Sequence, residues 1–186
     1  GSIPSRASSN RKRLQDSRIR FIDLRYDDPA KLTEQLTEHV RLHGAWDYII
    51  HNAGLIKTLK KENFYKVNAE QTRIFLQSLQ ASGCSPKKFI LMSSLSSFGP
   101  GDEKTFTPIK QTDPQRPNTV YGKSKMLAEK YVREQTGFPY VILYPTGVYG
   151  PGERDYFMEI QSIQSGIDIA AGFTPQRSEE HTSELQ

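Results

Sequence analysis

No run of about 18 consecutive apolar residues interrupts the 186-residue chain, so no segment has the length and hydropathy of a membrane-spanning helix. The amino-terminal region carries neither an apolar signal core nor a transit-peptide pattern, and the chain reads as cytoplasmic. Cysteine is nearly absent. Cys84 stands alone, which excludes an internal disulfide and fits a reducing compartment. What is present is 35% hydrophobic and 10% aromatic residues, too many core-formers for a disordered chain.

The formal charge of +4 invites a nucleic-acid reading, and the location of the charge argues against it. Arg6, Arg11, Lys12, Arg13, Arg18 and Arg20 stand in the first 20 residues against Asp16 alone, so the basicity is a terminal feature and the rest is nearly neutral. No aromatic residues interleave with this arm and no nucleic-acid module follows it. The arm reads as a solvated surface or a contact to a cofactor phosphate.

Four short apolar runs, Ile19–Asp23, Trp46–Ile50, Lys88–Ser93 and Tyr140–Tyr144, read as strands. They are continuous in polarity, the pattern of strands covered on both faces. Helices are expected between them. The first has Asp27 or Asp28 as cap, Pro29 in its first turn, a Leu32–Leu36–Val40 stripe and Gly44 as its stop. The second runs from about Glu62 to Ser82 with Phe64, Val67, Phe75 and Leu79 inward, and the third from about Asn118 to Thr136. Strand and helix alternate, which predicts an α/β fold with a parallel sheet and right-handed crossovers. Between the third run and the third helix lies Ser94–Pro117, a long loop rich in Gly, Pro, Asp and Thr, and loops of that length inside compact domains are usually functional.

Tyr121 and Lys125, four apart near the start of the third helix, share one helix face. A tyrosine is a poor base at neutral pH. Bringing its pKa from about 10 to about 7 takes about 4 kcal/mol, and a neighbouring ammonium favours the phenolate directly. A third group is needed to hold a substrate oxygen, and hydroxyls stand at Ser93, Ser94, Ser96 and Ser97, where the third strand runs into the loop. In a parallel sheet that is the carboxyl edge, where ligands bind.

These residues resemble the extended short-chain dehydrogenase/reductases, also called the NAD-dependent epimerase/dehydratase family. Tyr121-Gly122-Lys123-Ser124-Lys125 matches the family's Tyr-x-x-x-Lys signature, and Ser93-Ser94-Leu95-Ser96-Ser97-Phe98-Gly99 looks like its strand-end segment, with Ser94 as the catalytic hydroxyl. Asn68 is similar to the active-site helix asparagine, Asp23-Leu24 to the acidic-aliphatic pair at the adenine, and Asn52-Ala53-Gly54 to the turn beneath the adenine ribose. The segment from Pro145 through Val148 to Gly152 resembles the one beside the nicotinamide. The resemblance implies catalytic Ser94, Tyr121, Lys125 and Asn68. It implies cofactor contacts from Arg6, Asp23, Leu24, Asn52, Ala53, Gly54, Tyr121, Lys125, Pro145 and Val148. The fold it implies is an incomplete Rossmann-type, doubly wound parallel sheet with helices on both faces. The chemistry is hydride and proton transfer at the carbinol of a nucleotide-sugar or similar small molecule. Arg6 and Ser8-Ser9-Asn10 sit where an adenosine 2′-phosphate would be met, so the cofactor is NAD or NADP. A carbonyl reductase of the same family, or a regulatory protein that binds dinucleotide without catalysis, are the alternatives, and the second has no need to keep Ser94, Tyr121 and Lys125 together. The whole protein is expected to be a homodimer.

Other features take plainer readings. His39 and His43 have metal-ligand spacing on a helix, but no third ligand converges, and no metal site is expected. His51 reads as a packed or loop histidine and Cys84 as structural. Tyr144 stands where the family commonly has Arg. The phosphate-binding Gly-x-x-Gly-x-x-Gly pattern is absent. On the resemblance, residues 1–149 are therefore a partial NAD(P)-binding domain without its first strand and phosphate loop, expected to be marginally stable and to bind dinucleotide poorly. Residues 150–176 begin a substrate-binding region. Arg177–Gln186 looks like a translated sequencing adapter and is set aside from fold reasoning.

Overall fold

A computed structural model describes residues 16–102, 104–148, 150 and 155–166. Arg6, Ser8-Ser9-Asn10 and Arg177–Gln186 lie outside the described residues. Helix α1, Pro29–His43, starts where Asp28 accepts a hydrogen bond from the Lys31 N–H at 3.1 Å, with Pro29 opening its first turn. Leu32 and Leu36 are its buried stripe. It stops at Gly44, whose φ of +79° is open to a residue without a Cβ and whose N–H returns to the Val40 carbonyl. Strand β1, Tyr48–His51, leads through an irregular turn to a continuous helical rod. This rod comprises α2 at Glu62–Phe64, a π-helical segment at Tyr65–Glu70 and α3 at Gln71–Ala81. Strand β2, Lys88–Met92, runs into a 3-10 turn at Leu95–Ser97. Helix α4, Val120–Glu134, is capped by Thr119, which accepts from the Gly122 N–H at 2.9 Å. Strand β3, Tyr140–Leu143, and helix α5, Asp155–Gln164, complete the elements.

The strands pair in the order β1-β2-β3, all parallel, with Ile49 opposite Phe89 and Leu91 opposite Ile142. Strands added in one direction by right-handed crossovers carry every connecting helix on the same face. The core follows from that. Leu32 and Leu36 of α1, Phe75, Leu76 and Leu79 of α3, and Ala128 and Val132 of α4 close over Ile49, Phe89 and Leu91. The other sheet face leaves Tyr48 67% and Ile50 66% exposed, so the apolar runs are covered by the described helices on one side. Helices on the second face would require the strand order to reverse, and the described strands contain no reversal. Among the described residues no helix is long and apolar enough to cross a membrane.

The Ile19–Asp23 expectation is corrected. This segment is not a strand, and Ile19, Phe21 and Ile22 are exposed. Its composition suits a strand, but a strand exists through its partner, and none of the described strands pairs with it. A side chain takes that role just beyond it: the Gln35 amide donates to the Asp23 carbonyl at 2.9 Å and accepts from the Arg25 N–H at 3.0 Å.

Candidate active site

The carboxyl ends of β1 and β2 meet the amino-terminal half of α4. Ser94 follows β2 and caps the 3-10 turn, its Oγ accepting from the Ser96 N–H at 3.2 Å and donating to Ser96 Oγ at 3.0 Å. This turn sits directly on α4. A Cβ built on Gly122 would lie 2.3 Å from the Ser96 carbonyl oxygen, so only glycine lets the helix come this close. The interior glycine of Tyr121-Gly122-Lys123-Ser124-Lys125 thus has a physical reason: it brings the tyrosine-bearing turn against the serine-bearing one. The Tyr121 ring meets Phe64 edge-on with centroids 5.9 Å apart.

Lys125 is buried at 7% exposure, and its ammonium donates to the Met92 carbonyl at 2.6 Å. Burial brings its pKa down to about 8, against the opposing pull of Glu129 one turn along the helix. Asn68 lies in the π-helical segment and is buried. Its Oδ1 accepts from the Leu55 N–H at 2.6 Å, while Nδ2 donates to the Leu55 carbonyl at 3.1 Å and to Ser124 Oγ at 3.0 Å. One amide therefore ties the turn after β1 to α4. A π-bulge is the local device that turns such a side chain out of α-helical register, and such bulges are frequent at functional sites.

The turn itself carries Asn52, Ala53 and Gly54, all exposed. A Cβ on Gly54 would stand 3.3 Å from Asn68 Oδ1 and 3.7 Å from Lys125 Nζ, so this backbone borders both groups. Asn52 and Ala53 line a groove of about 300 Å³ together with Leu24, Tyr26, Trp46 and Ile50. The structure thus brings together Leu24, Asn52 and Ala53, and separately Gly54, Asn68 and Lys125. Asp23 is exposed beside that groove's Leu24. Pro145 follows β3 and accepts from the Leu95 N–H at 3.1 Å, whereas Val148 is 69% exposed. The long loop encloses a cleft of about 370 Å³ lined by Phe98, Asp102, Ile109, Asp113 and Arg116, and neither Ser94 nor Tyr121 lines it.

His51 closes β1 and is packed, as its plainer reading expects. Its ring stacks on Phe75 at 5.4 Å, and Nε2 lies 3.0 Å from Thr72 Oγ1. Thr72 gives its own proton to the Asn68 carbonyl at 2.7 Å, so Nε2 is the donor and the ring is the neutral Nε2–H tautomer. Burial, reinforced by the Lys125 ammonium, lowers its pKa to about 4. A base whose folded pKa is depressed stabilises the fold above its unfolded pKa and loses that contribution as pH falls. Acidification from pH 6.5 toward about 4 should cost about 3 kcal/mol through this ring. Urea titrations at several pH values check it: His51→Gln should flatten that part of the slope, and an unchanged slope contradicts the assignment.

Among the described residues no third metal-ligating side chain joins His39 and His43. Their rings lie 5.1 Å apart, with His39 tilted against Trp46 at 4.3 Å. Cys84 is buried and its thiol is pushed up by desolvation. Tyr144, where the resemblance leads one to expect Arg, turns to the interior and donates to Glu129 at 3.0 Å. Sequence reasoning misses Glu129 itself, which is fully buried. Its spacing of four from Lys125, on the face of Ala128 and Val132, was the available signal.

Comparison with known proteins decides the family. The family model for the NAD dependent epimerase/dehydratase family matches residues 2–169. The chain belongs to this family. It is 35% identical over 97 residues to UDP-glucose 4-epimerase of Vibrio cholerae, which covers 50% of this chain and 29% of that protein. It is 31% identical over 115 residues to ceramide reductase of Caulobacter vibrioides, covering 62% of this chain and 30% of that protein. Among solved structures, UDP-glucuronic acid 4-epimerase from Bacillus cereus in complex with NAD superposes with a TM-score of 0.66 at 20% identity, over 87% of this chain and 50% of that one. A dTDP-glucose 4,6-dehydratase double mutant from Streptomyces venezuelae gives 0.65 at 19% identity, over 86% of this chain and 49% of that one. At these identities the structures speak for the fold, a Rossmann-type parallel α/β sheet. The chain spans about 30% of the curated relatives' length and about half of the solved structures'.

Proposed function

We propose that the chain is the catalytic part of an NAD-dependent epimerase or dehydratase acting at a carbinol of a nucleotide-sugar. The observation that carries this reading is the convergence of Gly54, Asn68 and Lys125 at the carboxyl edge of the sheet, beside a serine turn packed on the tyrosine-bearing helix. Those residues fit a dinucleotide. Gly54 leaves open the space that a Cβ would fill next to Asn68 and Lys125, and the groove of Leu24, Asn52 and Ala53 offers an apolar wall with polar groups at its end. A bound nicotinamide supplies a hydride acceptor and donor. Tyr121 would take or return the hydroxyl proton, Ser94 would exchange its bond to Ser96 for one to the substrate oxygen, and Lys125 would stabilise the phenolate and hold cofactor hydroxyls. Asp23, Leu24, Asn52 and Ala53 would hold the adenosine end, and Pro145 and Val148 would lie toward the nicotinamide. The relatives crystallised with NAD support NAD over NADP. The similarity to ceramide reductase supports simple carbonyl reduction as a second reading of the same residues.

Gly54→Val tests the cofactor site. In the complete protein, calorimetric titration with NAD should show affinity lowered at least about tenfold, equivalent to about 1.4 kcal/mol. Unchanged affinity would remove Gly54 from the site.

A further inference from the structure

Glu129 has no exposed surface, and its carboxyl group accepts hydrogen bonds from four described residues. Ser93 Oγ donates to Oε1. Oε2 accepts from Gln115 Nε2 at 2.6 Å, the Tyr144 hydroxyl at 3.0 Å and the Arg133 guanidinium at 3.0 Å. Tyr144 itself accepts from Arg133 at 2.8 Å, so its own proton goes to Glu129. Gln115, Arg133 and Tyr144 can only donate in this arrangement, and one of them is a guanidinium, so the geometry favours the ionised carboxylate.

The donors come from four places: the residue after β2, the long loop, the residue after β3, and α4 itself. Ser93 adjoins Ser94, and Lys125 lies one helical turn before Glu129, as Arg133 lies one turn after. We infer that Glu129 is a positioning residue for the Ser94–Tyr121–Lys125 constellation: its buried carboxylate clamps the ends of β2 and β3 to α4 and sets a negative charge one helical turn from the Lys125 ammonium. This rests on the reading of Lys125 as the group that supports Tyr121. Among the described charged and titratable groups, Glu129 is the one that favours the Lys125 ammonium. His51 at the end of β1 is neutral, and the Met92 carbonyl accepts from the ammonium without supplying a countercharge. Burial disfavours the ammonium and Glu129 opposes that effect.

The test reads charge rather than turnover. Nζ acylation of Lys125 against pH, followed by peptide mass spectrometry in the full chain, gives the lysine's titration midpoint. In Glu129→Gln the midpoint should fall by about one unit or more, and an unshifted midpoint in the folded variant overturns the inference. If that variant does not fold, wild-type protein suffices: the carbon-13 shift of the Glu129 carboxyl should be that of a carboxylate at neutral pH, and a protonated carboxyl there overturns the inference equally. Failure of the catalytic reading would appear separately, as turnover that survives Tyr121→Phe, while leaving the lysine shift in place.

Discussion

Tyr121→Phe in the complete protein should lower turnover of a nucleotide-sugar by about 10² to 10⁴-fold while leaving NAD affinity and thermal stability nearly unchanged. The substitution removes one oxygen and keeps the ring, so the edge-on packing with Phe64 persists and α4 keeps its cap at Thr119. On the proposed mechanism, what is lost is the proton carrier. In that proposal Ser94 can still hydrogen-bond the substrate oxygen, but a serine hydroxyl is far too weak an acid or base to replace a phenol whose ionised form an ammonium supports. Steady-state kinetics paired with calorimetry checks the split. Full turnover in the variant would remove Tyr121 from the chemistry.

Gly122→Val should be the most disruptive single change in the helix, costing about 3 kcal/mol or more and abolishing turnover. The reason is steric and local. A Cβ at this position would lie 2.3 Å from the Ser96 oxygen and 3.0 Å from the Ser96 carbonyl carbon, backbone atoms that can retreat only if the 3-10 turn moves. A β-branched residue adds two methyl groups and gains little from helix propensity to offset the clash. Displacing the turn also separates Ser94 from Tyr121, so stability and activity fall together. Lys123, next along the helix and exposed, is the control: Lys123→Ala should change stability by no more than about 0.5 kcal/mol. Equal effects at the two positions, measured by chemical denaturation, would contradict this contact.

Much of this was legible in the sequence where a local rule suffices. The Asp28 cap, the Pro29 first turn and the Gly44 stop fix α1 without reference to the rest of the chain, and Tyr121 and Lys125 share a helix face by spacing alone. Ile19–Asp23 shows the limit. Its apolar, β-branched composition reads as a strand, yet strand structure depends on a partner that composition does not supply. The π-helical segment leaves no periodic trace either, because it shifts a single hydrogen-bond register, and it is this shift that accompanies Asn68 into the interior. Glu129 was hidden for a different reason. A glutamate on a helix is normally solvated, and only the meeting of Ser93, Gln115 and Tyr144 from distant parts of the chain turns it inward.

The most direct test is a structure of the complete protein with NAD and a nucleotide-sugar bound. The expected result is a sugar hydroxyl oxygen within about 3 Å of both Ser94 Oγ and the Tyr121 phenol oxygen, at the carboxyl edge of β2. A sugar seated instead in the loop cleft beside Phe98 and Ile109, out of reach of both hydroxyls, would contradict it.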